Sequence, residues 1–394
     1  MARSTVRGSL FLPLLLVRSA FAWEGASPLG RWRCVSNYIP SPQVNYDLST
    51  WQRDLKDIKQ AGFNAVWMVN VWAEFQPSLE PLVEEAGRTK WLREVCRMAQ
   101  EDGLTLILAL GYVGEGWAPK GLDAQVWPLL PEQLGHYIAF LRRMAMETKD
   151  FPNVVYLLAS EEILPATLLY RPDHRRECVE AFKEWVKATR PDIGYWNQRW
   201  GTSFTWETLK PFSTQERSRW EIWMDHHLWF SSILRRILPP MVAALRAERP
   251  NAVVGFHDFL LDPALPPPSP EQASLPSLHP FDFYSLGYYF DPKKGLEENL
   301  SAMQKKIDLA RRLYPRLPLW MGELGADVGA VGEETQRDWL SLAISSLKGQ
   351  GIGYSIWNWR HYLERGTSSF SLLREDGSPR PALERVKRLN REDP

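Results

Sequence analysis

Two apolar runs in this chain end in the same way. The run Val154-Val155-Tyr156-Leu157-Leu158-Ala159-Ser160-Glu161 closes on a carboxylate, and so does Leu319-Trp320-Met321-Gly322-Glu323, 162 residues further on. Each reads as a buried strand handing over to a loop. Around them, short apolar runs alternate with stretches of helical spacing. Strands are expected over 33–38, 65–71, 104–110, 154–160, 252–257, 283–288, 318–322 and 353–357. Helices are expected over 51–61, 91–101, 131–148, 178–189, 217–246, 296–313, 333–347 and 382–389. Gly62 and Gly103 stand as C-terminal stops for the first two helices. Pro131 opens the third, where its missing N–H costs no helical hydrogen bond.

Strands that are apolar throughout, rather than alternating, belong to parallel sheets buried on both faces. Eight of them, nearly all followed by a helix, imply an α/β fold closed as a (β/α)8 TIM barrel. A long insertion follows the fourth strand, and the segment 262–280 after the fifth carries seven prolines and reads as a loop. Both would lie on the catalytic face, where the loops after barrel strands gather. The competing doubly wound sheet announces a Gly-rich phosphate turn after its first strand. Here Asn37-Tyr38-Ile39-Pro40-Ser41-Pro42 follows instead, and no GxGxxG or Walker pattern opens a helix, so no nucleotide cofactor is expected.

Composition narrows the class. The 394 residues are 44% hydrophobic and carry zero net charge with no basic block, so nucleic acid is not an expected partner. The 19 tryptophans are an excess that suits both a core and a carbohydrate-binding surface. Cys34, Cys96 and Cys178 form no zinc-ligand spacing; three buried thiols is the simpler reading, with at most one disulfide of open pairing. Arg3 and Arg7, the apolar stretch 10–17 and Ala20-Phe21-Ala22 read as a secretory signal over residues 1–22, although Arg18 is unusual there. The expectation is a secreted or periplasmic protein, free of the membrane after cleavage, with 23–394 forming a single barrel domain.

Residues at the C-terminal ends of different barrel strands converge on one mouth. Glu161 ends the fourth strand and Glu323 the seventh. Retaining hydrolysis of a glycoside needs such a pair about 5–5.5 Å apart, one ionised as nucleophile and one protonated as acid. If the fourth strand is shifted by one residue, Glu162 takes the place of Glu161. His257 and Asp258 end the fifth strand, where His257 is expected to meet substrate hydroxyls or, in another reading, a metal. Asn70 and Glu74, after the second strand, are expected to line the cleft.

The ordered set of these motifs resembles the clan of retaining (β/α)8 glycoside hydrolases that includes families 5 and 42. That resemblance implies Glu161 as acid/base and Glu323 as nucleophile. It implies Trp357 as floor of the sugar site, and Tyr288 or Tyr289 as hydrogen-bond partner of the nucleophile. The stretch 51–77, with Trp72 expected at the cleft, and the segment from Phe182 through Trp196-Asn197-Gln198-Arg199-Trp200 are similar to family 42, the β-galactosidases. The segment 322–362 is more like family 5, the cellulases and mannanases. The chain departs from the pattern where Ser160 replaces the Asn that touches the sugar 2-OH, and where Trp67 replaces an Arg that often supports the nucleophile. The implied protein is a retaining β-glycosidase of β-linked oligo- or polysaccharides that needs no cofactor. The alternatives are a catalytically silent carbohydrate-binding barrel and a metal-dependent barrel hydrolase.

Overall fold

The computed structural model describes residues 28–37, 47–113, 118–159, 163–258, 280–360 and 369–392. Residues 1–22, expected as a secretory signal, most of the proline-rich segment, and Ser160, Glu161 and Glu162 lie outside the described residues.

Eight parallel strands close into a barrel in strict chain order. They are β1 (Arg33–Ser36), β2 (Ala65–Val71), β3 (Thr105–Tyr112), β4 (Val154–Ala159), β5 (Val254–Asp258), β6 (Phe283–Tyr289), β7 (Leu319–Gly325) and β8 (Gly353–Ile356). Helix α1 (Leu48–Gln60) follows β1, and the Asp47 carboxylate caps it by accepting the amides of Ser49 and Thr50. The short α2 (Trp72–Phe75) and α3 (Ala86–Glu101) follow β2, and α4 (Pro131–Thr148) follows β3 with its proline at the first turn. The insertion after β4 is helical: α5 (Ala166–Tyr170), α6 (Arg176–Thr189) and α7 (Ile193–Trp200) precede the long α8 (Trp220–Glu248). Helices α9 (Leu296–Leu313), α10 (Val328–Gly349) and α11 (Pro381–Arg391) complete the outer layer. The expected stops hold, since Gly62 and Gly103 have φ of 83° and 64°, a region only glycine enters cheaply.

The strands are apolar throughout because each lies between two cores. On β4, Val155 and Leu157 face the barrel interior, while Val154, Tyr156 and Leu158 join the larger core under the helices. The interior is filled in layers. Trp32, Phe283 and Trp320 plug the bottom; the latter two rings lie 5.5 and 5.6 Å from that of Trp32 and cross it near a right angle. Trp67 sits above them, 5.9 Å from Trp320. Much of the tryptophan excess is core: Trp51, Trp67, Trp72, Trp127, Trp200, Trp229, Trp320 and Trp339 are fully buried. The three cysteines form no disulfide and are buried, and burial pushes each thiol up to about 12.

Candidate active site

Alternation along β7 puts Trp320 inside the barrel and Met321 outside. On that count Gly322 faces in and Glu323 would face the helices. The register breaks here: Met321 pairs with Leu286 but Glu323 with Gly287, and on the other side Tyr354 pairs with Met321 but Ile356 with Leu324. Both neighbours see one extra residue on β7, which is a β-bulge. The bulge turns Glu323 back toward the interior and lets Leu324 resume the outer core. The apolar run predicts that β7 stops at Gly322. The strand instead runs on to Gly325, so Glu323 sits on a paired strand rather than on a loop.

Beneath Glu323 lies a packed polar layer. His257 Nδ1 and Ser285 Oγ are 2.6 Å apart, and both residues are fully buried. Gly322 rests directly on them: a Cβ there would lie 2.1 Å from Ser285 Oγ and 3.0 Å from His257 Nδ1. Trp67 covers the imidazole from the side, with ring centroids 5.2 Å apart. Burial, helped by the Lys306 charge, holds the His257 pKa well below its ordinary value, so the ring is neutral at pH 7.

Above this layer, the Tyr289 hydroxyl donates to Glu323 Oε2 at 2.5 Å. Glu323 itself is buried, at 7% exposed. Trp357, just after β8, is half-buried and packs its edge on Trp67 at 6.1 Å. Glu323, Tyr289 and Trp357 thus stand over one interior column.

Other expected residues fall elsewhere. Tyr288 points outward, where its hydroxyl donates to Asn299 Oδ1 and its ring packs on Trp339. Of the two tyrosines, Tyr289 is the partner of Glu323. Trp72 does not line the cleft; it is fully buried against Trp127, Tyr137 and Phe140, with its indole N–H given to Gln76. Asn70 shares the outward parity of Val66 and Met68, and its amide donates to the Met68 and Ala109 carbonyls. Glu74 opens on a separate hollow of about 590 Å³ beside Leu48, Arg88 and Trp91, and burial pushes its carboxyl up to about 6. His257 is under the floor of the mouth, not on its rim. Asp258 lies on the opposite face of β5, accepting the Tyr284 hydroxyl, so the two cannot close on one ion. Among the described residues, no three His, Cys, Asp or Glu side chains gather as a metal site. Sequence reasoning does not single out Ser285; a serine inside an apolar strand is the available signal.

The closed eight-strand parallel barrel is the (β/α)8 fold, and it brings Tyr289 of β6 and Glu323 of β7 together. No family model matches the chain, and no curated protein matches it in sequence. Solved structures share its fold. A β-galactosidase from the Antarctic haloarchaeon Halorubrum lacusprofundi superposes with TM-score 0.66 at 16% identity, over 91% of this chain and 58% of that one. A β-galactosidase from the psychrophilic Marinomonas ef1 gives 0.64 at 17%, over 91% and 59%. The GH5_18 protein of Streptomyces cattleya, solved in complex with GlcNAc, gives 0.62 at 16%, over 92% and 81%. The chain therefore spans under 60% of the length of either β-galactosidase. At these identities the likeness is one of fold, and it is to both of the enzyme types that the sequence motifs resemble.

Proposed function

We propose that the protein is a secreted retaining β-glycosidase, with Glu323 as nucleophile and Glu161 as acid/base. The observation that carries the reading is the Tyr289–Glu323 hydrogen bond on a bulged strand at the barrel mouth. The donated O–H favours the ionised carboxylate and fixes which oxygen faces the anomeric carbon. Glu323 attacks that carbon, and the glycosidic oxygen leaves with a proton from Glu161. Glu161, now a base, takes a proton from water as the water displaces Glu323 from the sugar. Trp357 supplies an apolar face under the sugar ring. No step calls for a cofactor.

The substrate is a β-linked carbohydrate. Two fold relatives are described as β-galactosidases. The Streptomyces cattleya protein is described in complex with GlcNAc and, as a variant, with Manβ1-4GlcNAc. The second reading, a carbohydrate-binding barrel without turnover, draws on Trp67, which fills the interior where the family resemblance implies a supporting Arg.

The test is a panel of nitrophenyl β-glycosides and β-linked polymers with the wild type, Glu323→Gln, Glu161→Gln and Glu161→Ala. Loss of turnover in Glu323→Gln, with azide rescue of Glu161→Ala as a glycosyl azide of retained configuration, supports both roles. Full activity in Glu323→Gln refutes the nucleophile. Sugar binding without wild-type turnover selects the second reading. The mass of the exported protein tests cleavage after Ala22.

A further inference from the structure

The first turns of α1 and α3 lie at the face where the strands end, because each barrel helix runs back against the strand before it. Between them, outside the ring of strands, the short α2 closes one side of the hollow of about 590 Å³ into which Glu74 opens. That volume falls within the roughly 300–1,000 Å³ of small-molecule sites. The faces of α2 are divided. Trp72 and Phe75, three residues apart, are buried, whereas Ala73 and Glu74 line the hollow. None of Glu323, Tyr289 and Trp357 lines it, so the hollow is separate from the column at the barrel mouth.

Its lining joins an apolar wall to charges of both signs. Leu48, Pro77 and Trp91 supply the wall. Glu94 is engaged by Arg97 at 3.0 Å. The remaining charges balance, with Glu74 and Glu85 against Arg88 and Lys90. Glu74 is half-buried and makes no hydrogen bond or ion pair among the described residues. Its burial, opposed only by the Arg88 charge, is what pushes the carboxyl up. A ligand that donates a hydrogen bond to Glu74 offsets that desolvation. An anion calls for an excess of bases, and a cation for an excess of acids. A hydrocarbon leaves the carboxylate without a donor. A neutral molecule with many hydroxyls fits: each O–H donates to a carboxylate, each oxygen accepts from a guanidinium or an ammonium, and the C–H faces meet the apolar wall.

We infer that this hollow is a second carbohydrate site, on the face where the strands end but outside the barrel mouth, in which Glu74 accepts a sugar hydroxyl. The class of ligand is a neutral oligosaccharide. The site calls for no step at Glu323, and it stands whether or not the barrel mouth turns sugars over.

The experiment follows hydrogen exchange by mass spectrometry in the full chain carrying Glu323→Gln, without and with cellotriose or mannotriose. The same chain is then compared with added Glu74→Ala or Glu74→Gln. The expected result is slowed exchange over α2 and the first turns of α3, residues 72–75 and 86–91. Glu74→Ala should need about tenfold more sugar for the same slowing, and Glu74→Gln, which keeps an acceptor but loses its charge, somewhat less. Peptides over β7 report the barrel mouth in the same samples, and native exchange there shows that a variant is folded. If Glu74→Ala is not folded, the shift in Glu74→Gln decides. No slowing over 72–91 with either sugar, or the same sugar dependence in every Glu74 variant, overturns the site. Slowing by inorganic phosphate or putrescine, and not by the sugars, overturns it as well. Absence of turnover in the wild type counts against the glycosidase reading alone, since the hollow is read at 72–91.

Discussion

Gly322 is packed so tightly on Ser285 that a Cβ on the glycine would lie 2.1 Å from the serine Oγ. The two residues face each other across β7 and β6, one layer below Glu323. The absence of a side chain at 322 lets β7 bulge, and the bulge brings Glu323 inward.

Gly322→Ala is therefore expected to disturb the bulge. Overpacking of this kind costs about 1–3 kcal/mol. Misplacing a reacting group by about an ångström costs on the order of a hundredfold in rate. Thermal unfolding and kcat on a nitrophenyl glycoside measure the two effects. Adding Ser285→Gly removes the Oγ that the new methyl meets, and the double variant should regain part of both losses. If the two substitutions simply add, this contact does not set the bulge.

Tyr289→Phe removes the donor to Glu323 without changing the ring that packs on Phe370. A hydrogen bond to a charged group is worth about 1.5–3 kcal/mol, so kcat should fall roughly ten- to a hundredfold. Tyr288→Phe, on the outer face, should leave kcat near wild type. An equal fall in both variants would contradict the assignment of Tyr289 as the partner.

His257 gives a pH signature. Its folded pKa is held well below 6.5, first by burial and then by Lys306. The unfolded chain thus binds a proton, from about pH 6.5 downward, that the folded chain refuses. Stability is complete above the unfolded pKa and is lost as pH falls below it, at up to about 1.4 kcal/mol per pH unit for this one group. Urea midpoints from about pH 7.5 to about pH 5, a window that brackets the unfolded pKa, should show that slope in wild type and a smaller one in His257→Asn. Parallel slopes would exclude His257 as the source.

Trp72→Ala is a test of core against cleft. The fully buried indole should cost about 3–5 kcal/mol when removed. Trp72→Phe, which keeps much of the packing, should leave KM unchanged. A raised KM in Trp72→Phe at native stability would put the residue back in the cleft.

Most of the barrel is legible in the sequence because its physics is local and repetitive. Parallel strands between two cores have to be apolar at every position, and glycine stops and the Pro131 start have backbone causes that a sequence displays. The eight strands fall where the apolar runs are, and the expected helices are present with ends shifted by up to five residues, whereas the short α2, α5 and α7 are not announced by the sequence pattern. Glu323 is legible as a carboxylate closing an apolar run. Its partner is narrowed only to two adjacent tyrosines, since neighbours on a strand point to opposite faces and the phase of the strand is set by pairing.

What the sequence by itself determined is therefore the class of fold, the order of its strands and a short list of carboxylates and aromatic rings. What only the tertiary structure decided is orientation. One extra residue in β7 reverses the direction of Glu323, a change in register that depends on two neighbouring strands distant in the chain. The same holds for Trp72 and His257, which the sequence pattern would send to the mouth: packing buries one in an aromatic cluster and the other beneath the floor.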